Sequence, residues 1–364
     1  MASRADDERF MRLALDEARK GLGRTHPNPA VGAVIVKGEK VIATGYHARA
    51  GTAHAEANAL MLAGSKAKGA TIYSTLEPCD HFGRTPPCTQ AILDHGLSRV
   101  VYGSSDPNPL VDGKGVRRMK RAGLAVTGAV LQAECDAINE PFFKVMRTGL
   151  PFVTVKAGMT LDGKIATATG QSKWITSEAA RAKAHALRDR VDAIAVGAGT
   201  VVADDPSLTT RIPDGRHAMR VVIDPQLRTK PGAKVYAPNG PAVVVVTSKP
   251  ADSYRARAFG KRGVGLLTVK EKGGRLELPE ALRALAKRGV LHLLVEGGAV
   301  TTGRFLEAGL VDEVLLFVAP RVIGGDGLSW VGALGVRAVD EGPRFELKES
   351  SQVGPDLLLR LRLR

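Results

Sequence analysis

His54, Glu56, Cys79 and Cys88 are the residues whose types and spacing carry chemistry. Two thiolates and an imidazole fill three corners of a tetrahedral zinc and leave the fourth for water, while a glutamate two residues from the imidazole stands beside the metal to move protons. In the order His-x-Glu, Pro-Cys, Cys this chemistry removes an amino group from a heteroaromatic ring by hydrolysis, with Glu56 as acid and base and not as a ligand. The chain departs from the common Cys-x-x-Cys spacing, because eight residues separate Cys79 from Cys88 and Asp80 to Pro87 must loop away from the metal. A purely structural zinc would need a fourth protein donor, for which Cys135 and His81 are the candidates.

The elements that position these residues follow from hydrophobic periodicity. His54 stands near the start of a helix with Ala55, Asn58, Ala59 and Leu62 as its buried stripe, and Pro87 precedes a second helix that begins at Cys88 and buries Ala91, Ile92 and His95. Two helix N-termini then face the ligands and help to hold the cysteines as thiolates. Around them the pattern predicts an amphipathic helix over 6–20, burying Phe10, Leu13, Ala14 and Ala18, further helices over 116–122 and 131–146, and strands over 30–36, 40–45, 71–75, 99–103 and 124–127. Cys135 reads as an ordinary thiol.

The 364-residue chain is long enough for two cores at 44% hydrophobic composition. The breaker cluster Thr148-Gly149-Leu150-Pro151 marks the boundary, giving domains 1–148 and 149–364. No stretch approaches the roughly 20 apolar residues of a membrane span, the N-terminus has no apolar signal region, and three cysteines do not make a disulfide scaffold, so a cytoplasmic protein with no membrane partner is expected. The net charge of +15 favours anionic partners. With 4% aromatic residues and dispersed arginines, a phosphorylated metabolite is expected in preference to nucleic acid.

In the second half, strands over 152–156, 193–196, 220–223, 242–246, 265–269, 291–295, 313–318, 344–349 and 356–363 alternate with helices over 177–190, 279–288 and 301–308, a mostly buried sheet flanked by helices. Glu296-Gly297-Gly298 ends a central strand and enters a helix, and Val196-Gly197-Ala198-Gly199-Thr200 repeats the pattern. Glycines there let backbone N–H groups approach a pyrophosphate, although neither tract has the G-x-G-x-x-G layout.

Three stretches, Pro78-Cys-Asp-His-Phe-Gly-Arg-Thr-Pro-Pro-Cys88, Lys156-Ala-Gly-Met-Thr-Leu-Asp-Gly-Lys164 and Ala203-Asp-Asp-Pro-Ser-Leu-Thr-Thr-Arg211, together with Glu296-Gly-Gly and Ser172-Lys-Trp-Ile-Thr, resemble the bifunctional deaminase-reductase family of riboflavin biosynthesis over essentially the whole chain. The resemblance implies an α/β protein with an N-terminal cytidine-deaminase-like α/β/α domain and a C-terminal dihydrofolate-reductase-like α/β domain. The first would remove the 2-amino group of a diaminopyrimidinone carrying phosphoribosylamine, and the second would use NADPH to reduce the ribosyl group to ribityl.

By that resemblance His54, Cys79 and Cys88 bind Zn2+ and Glu56 shuttles the proton. Asn28, His47, His81, Arg84, Asp106 and Asn108 shape the pyrimidine and phosphate pocket; Arg84 stands where the family often has lysine, which keeps the charge and changes the geometry. Ser172, Arg188, Leu208, Arg211 and Glu296 meet the reductase substrate. Gly158, Trp174, Thr200, Asp204 and the stretch Gly298, Ala299, Val300, Thr301, Thr302, Gly303 and Arg304 meet NADPH. Lys156 and Asp204 assist hydride transfer, and with Glu296 they are expected to be buried charges at strand ends. A homo-oligomer is expected. The rival readings are a nucleic-acid base deaminase, a catalytically dead nucleotide-binding module, and a reductase for a pterin or folate.

Overall fold

The computed structural model describes residues 3–82, 86–108, 111, 113–238 and 240–364. The chain divides into two units, Met1–Gly149 and Leu150–Arg364. Gly149 stays with the first because it closes that unit's last helix in the left-handed conformation, at φ 70.

In the first unit a capping box between Ser3 and Asp6 starts α1 (Arg4–Lys20). β1 (Gly32–Lys37) and β2 (Lys40–Tyr46) form a hairpin, and α2 (Ala55–Ala63), β3 (Thr71–Leu76), α3 (Cys88–Asp94), β4 (Arg99–Ser104), α4 (Lys114–Arg121), β5 (Ala125–Thr127), α5 (Gln132–Ile138) and α6 (Glu140–Thr148) follow. The sheet order is β2-β1-β3-β4-β5, with β1 antiparallel to both neighbours and β3 to β5 parallel.

Alternation along β3 sorts the two faces. Tyr73 packs with Phe10, Met11 and Cys135 on the α1 and α5 side. Ser74 therefore turns to the opposite face, where its hydroxyl donates to Glu56 of α2 at 3.2 Å. Gly45 on β2 allows α2 to lie this close: a Cβ there would stand 2.5 Å from the Ala55 carbonyl oxygen and 2.6 Å from the Ala59 nitrogen.

Three expectations need correction here. Along α1 the buried apolar positions are Phe10, Met11, Ala14, Leu15 and Ala18, and Leu13 is exposed. Along α2 the buried residues are Ala55, Ala59, Leu60 and Ala63 together with the carboxylate-bearing Glu56, and Leu62 is 68% exposed, because the helix is turned to present Glu56 to Ser74. The helix expected over 131–146 is two helices broken at Asn139. The side chain of Asn139 accepts from the Ala30 N–H at 2.8 Å and donates to the Ala30 carbonyl at 2.9 Å, and Pro141 starts the second helix within its first turn.

The second unit contains β6 (Phe152–Thr160), β7 (Lys164–Ala166), α7 (Glu178–Arg190), β8 (Ala193–Gly197), α8 (Ala198–Asp204), β9 (Met219–Ile223), β10 (Val243–Thr247), α9 (Tyr254–Gly260) and β11 (Gly265–Thr268). The short pair β12 (Glu271–Lys272) and β13 (Arg275–Leu276) precedes α10 (Leu278–Lys287), β14 (His292–Val295), α11 (Ala299–Glu307), β15 (Glu313–Ala319), β16 (Leu328–Ser329), β17 (Phe345–Val353) and β18 (Asp356–Leu363). Nine strands run in the order β11-β10-β9-β8-β14-β6-β15-β18-β17, parallel through β15 and antiparallel in the last two.

Strands buried on both faces explain the continuous apolar runs Ala193–Val196 and Val243–Val246. Ala193, Ala195, Leu293 and Val295 pack with α10 and α11, while Ile194, Val196 and Leu294 pack with Val201 of α8 and with Ala256 and Phe259 of α9. Helices α8 and α9 fall outside the helices that periodicity predicts, since each is seven residues long and begins or ends in glycine or alanine with little amphipathic pattern.

Candidate functional site

In the first unit the strand ends and helix starts deliver the zinc donors to one place. His54 is the N-cap of α2, and Cys88 is the first residue of α3, after Pro87 as its N-cap. The His54 Nδ1 lies 3.3 Å from the Cys88 Sγ and 3.5 Å from the Cys79 Sγ, and the three donors lie within 4.8 Å of one another. Donors on a tetrahedral zinc stand roughly 3.5–3.8 Å apart, given the usual bond lengths, so two sulfurs and one nitrogen at this spacing fit the ion. Among the described residues neither Cys135 nor His81 joins them; Cys135 is buried in the opposite face of the sheet, against Phe10 and Tyr73.

Glu56 is buried beside the donors. Its Oε1 accepts from Ser74, and its Oε2 lies 3.5 Å from the Cys88 sulfur. Burial pushes its carboxyl above the usual carboxylate range, against the opposing pull of His54. Cys79 is pushed well down as the acceptor of the Cys88 thiol and of His54, overcoming its burial, and Cys88 rises as the donor of that pair and from burial. His54 is raised by its hydrogen bond to Cys79, which outweighs its own desolvation.

A cavity of about 330 Å³ opens on these groups, and Asn28, His47, His81, Asp106 and Asn108 all line it with His54, Glu56 and Cys79. Arg84 lies outside the described residues. The His47 Nδ1 donates to the Ala53 carbonyl at 3.1 Å and its Nε2 accepts from Asn28 at 3.2 Å, an assignment that suits a neutral ring; desolvation lowers its pKa. Asp106 is raised by burial, and its Oδ1 accepts the Asn108 N–H at 2.8 Å. Ser74 and Glu77 belong to this site and carry no motif of their own. The signal available for Glu77 was a charged residue between the end of β3 and Pro78-Cys79.

In the second unit a cavity of about 950 Å³ lies at the carboxyl ends of the parallel strands, lined by Ser172, Thr200, Asp204, Gly298, Ala299, Val300, Thr301 and Arg304 among others. The starts of α8 and α11 meet there: the Gly298 N–H donates to the Thr200 Oγ1 at 3.1 Å, and a Cβ on Gly197 would stand 2.2 Å from the Thr301 Oγ1. Glycine at 197 and 298 thus keeps two helix N-termini and their N–H groups against the cavity wall, a cradle that fits the pyrophosphate of a dinucleotide such as NADPH.

Gly158, Trp174, Thr302 and Gly303 are not among the lining residues. Gly158 faces Thr176, Trp174 is 60% exposed with the Arg181 guanidinium 4.4 Å over its ring, and Thr302 and Gly303 are buried. Asp204 corrects an expectation: it is exposed, as the last residue of α8, and not a buried charge at a strand end.

Lys156 of β6, Arg188 of α7 and Glu296 after β14 come together. Arg188 grips Glu296 with two hydrogen bonds of 2.7 and 2.8 Å and also donates to the Thr209 carbonyl at 3.1 Å; Lys156 stands 3.6 Å from the same carboxylate. Burial opposes ionisation of Glu296, but the Lys156 and Arg188 charges prevail and hold its carboxyl at about 2. Leu208 is buried in the left-handed conformation, and Arg211 is exposed. His185, three residues before Arg188, was not read from the sequence: burial and then the Arg188 and Arg211 charges lower its pKa.

Two family models match separate parts of the chain. Residues 4–104 match the cytidine and deoxycytidylate deaminase zinc-binding region, and residues 151–359 match the RibD C-terminal domain. The chain is 44% identical over 354 residues to the riboflavin biosynthesis protein RibD of Aquifex aeolicus, covering 97% of each. Among solved structures it is similar to Acinetobacter baumannii RibD, at 36% identity and a TM-score of 0.91 over 100% of both chains. It is also similar to the diaminohydroxyphosphoribosylaminopyrimidine deaminase/5-amino-6-(5-phosphoribosylamino)uracil reductase of Thermotoga maritima, at 36% identity and 0.89 over 99% of both. The two folds are those expected, a cytidine-deaminase-like domain followed by a dihydrofolate-reductase-like domain. The chain belongs to the RibD family, the bifunctional deaminase-reductases of riboflavin biosynthesis.

Proposed function

We propose that residues up to Gly149 deaminate 2,5-diamino-6-(5-phosphoribosylamino)pyrimidin-4(3H)-one, and that residues from Leu150 onward reduce the ribosyl side chain of the product with NADPH, giving 5-amino-6-(5-phosphoribitylamino)uracil. The observation that carries the first half is the His54, Cys79 and Cys88 triad with Glu56 anchored beside it. His54, Cys79 and Cys88 would hold a zinc ion, which would polarise a water for attack. Glu56 takes a proton from that water and delivers it to the departing amino group, and its raised affinity for a proton suits a carrier that must hold one between the two transfers. Asn28, His47, His81, Asp106 and Asn108 orient the ring, with Arg84 on the phosphate.

In the second half NADPH supplies the hydride that reduces C1′ of the opened ribosylimine. Glu296 orients Lys156, which gives the proton that balances the hydride, while Arg188 and Arg211 hold the phosphorylated chain with Ser172 and Leu208 along it. Asp204 lies at the cofactor cavity with Thr200 and the α11 start, and the family resemblance adds Gly158, Trp174, Thr302 and Gly303 to that site.

The finer reading is of a cytoplasmic homo-oligomer acting on a small phosphorylated pyrimidine and not on nucleic acid. No helix of the described residues is long and apolar enough to cross a membrane, and exposed Leu347 and Leu357 on the hairpin that ends the sheet offer apolar surface to a second copy.

The test is to follow ammonia release from the diaminopyrimidinone substrate by zinc-loaded protein, then to add NADPH and follow its absorbance. Ammonia first and NADPH oxidation second supports both assignments. No ammonia from folded, metal-replete protein rejects the pyrimidine substrate and brings the nucleic-acid deaminase forward.

A further inference from the structure

Eight residues lie between Cys79 and Cys88, where the common zinc pattern has two, so no single short turn of backbone fixes the distance between these donors. Hydrogen bonds tie the two ends of the loop instead. The Cys88 N–H donates to the Cys79 sulfur at 3.5 Å, and the Thr89 N–H donates to the Cys79 carbonyl at 3.2 Å. The residues next to the donors then join through their side chains, the Thr89 hydroxyl donating to Asp80 Oδ1.

Arg118 of α4 locks this pair. Its Nη1 donates to the same Asp80 oxygen at 2.7 Å, and its Nη2 donates to the Gln90 side-chain oxygen. One guanidinium thereby spans the residue after Cys79 and the residue two after Cys88. Gly115 lets α4 come this close: a Cβ there would stand 2.5 Å from the Pro78 carbonyl oxygen and 3.1 Å from the Thr89 Cγ2. Thr89 is buried and the Asp80 side chain is 16% exposed, so these bonds replace water that the carboxylate would otherwise need. Cys79 and His81, the neighbours of Asp80, both line the deaminase cavity, whereas Asp80 itself turns away from it to Thr89 and Arg118.

We propose that Arg118, Asp80 and Thr89 form a clamp of positioning residues that takes the place of the short Cys-x-x-Cys turn, fixing Cys79 relative to Cys88 and so slowing the loss of zinc. This rests on the reading of His54, Cys79 and Cys88 as zinc donors. None of the three clamp side chains joins the donor group or lines the cavity, so the clamp acts through the backbone of its neighbours.

The rate of zinc transfer from the full-length, zinc-loaded enzyme to a chromogenic chelator tests it. Visible absorption of the cobalt(II)-substituted protein gives a second reading, and circular dichroism checks folding. Arg118→Ala and Asp80→Ala are each expected to release zinc about tenfold faster, the lower end for hydrogen-bonded partners beyond the donors, with altered cobalt bands. The double variant is expected to release it no faster than either single one, since both break the same unit. Arg118→Lys keeps the charge beside Asp80 and is expected to stay within about threefold of wild type. Wild-type release from Arg118→Ala, or single effects that multiply in the double variant, overturns the clamp. Cys88→Ser checks the donors and is expected to lose zinc. If it retains zinc as wild type does, the zinc reading falls and the clamp with it; if it loses zinc while Arg118→Ala releases at the wild-type rate, the clamp alone falls. Should Asp80→Ala or Arg118→Ala fail to fold, Arg118→Gln decides by the limits set for Arg118→Ala.

Discussion

Ser74 and Glu56 divide the labour of one carboxylate: the Ser74 hydroxyl, 3.2 Å from Oε1, holds one oxygen against the sheet, and the other is left 3.5 Å from the Cys88 sulfur at the metal position. The strand supplies the anchor and the helix supplies the working group. Replacing Ser74 with alanine should therefore leave zinc bound and cut kcat for deamination by roughly tenfold, the order expected for losing a hydrogen bond to a charged group. Single-turnover ammonia release with metal analysis reads it, and an unchanged rate would mean that Glu56 is held by packing alone.

Zinc binding should expel protons. In the metal-free site His54 and Cys88 bind protons more tightly than usual, and both must give them up to serve as donors, whereas Cys79 is already poised as thiolate. Affinity is thus expected to fall as pH falls, with acidification of a weakly buffered solution on each zinc addition. Chelation should stop ammonia release and leave NADPH oxidation intact when the deaminated pyrimidine is supplied.

Glu296 gives the reductase half a different pH response. Its carboxyl sits at about 2, below its ordinary value of 4.5, so the ionised form is favoured by folding. The stability it contributes is complete above 4.5 and is lost as pH falls from there through about 2. Glu296→Gln leaves Arg188 and Lys156 without their shared anion and should cost about 3–5 kcal/mol in the unfolding of this unit. Denaturant titration at pH 7 and pH 3 checks both size and window: the gap between wild type and variant should narrow at the lower pH.

Gly45→Ala should harm the deaminase without touching its chemistry. The added carbon would overlap the α2 backbone at Ala55 and Ala59, and relieving that overlap moves His54 and Glu56 together. A loss of about 1–3 kcal/mol is expected from such overpacking, together with weaker zinc retention under competition by a chelator. Normal zinc affinity in the variant would show that the helix can shift without disturbing the donors.

The metal site was legible because its residues announce themselves by type and short spacing, and because helix starts fall where Pro87 and the apolar rhythm place them. What was hidden depends on partners distant in sequence. Periodicity alone put Leu62 in the buried stripe of α2, yet the helix is turned by the bond between Glu56 and Ser74. Asp204 looks like a buried acid in a run of Asp-Asp-Pro and is exposed, because the short helix α8 carries it outward. Ser74 looks like an ordinary strand residue until α2 is laid against β3 and brings Glu56 to its hydroxyl, and His185 acquires meaning only beside Arg188 and Arg211.

The two hydrogen bonds between Asn139 and Ala30 join positions 109 residues apart, so the first unit closes on itself through its far end. A separately expressed deaminase fragment cannot stop where the sheet ends at Thr127: it would leave the Ala30 backbone, just before β1, without its partners and expose the Cys135 side of the sheet. Dissection of the enzyme should cut after Gly149. During synthesis, too, the metal-binding half can finish folding only once the residues through Asn139 have left the ribosome, well after all three zinc donors have emerged.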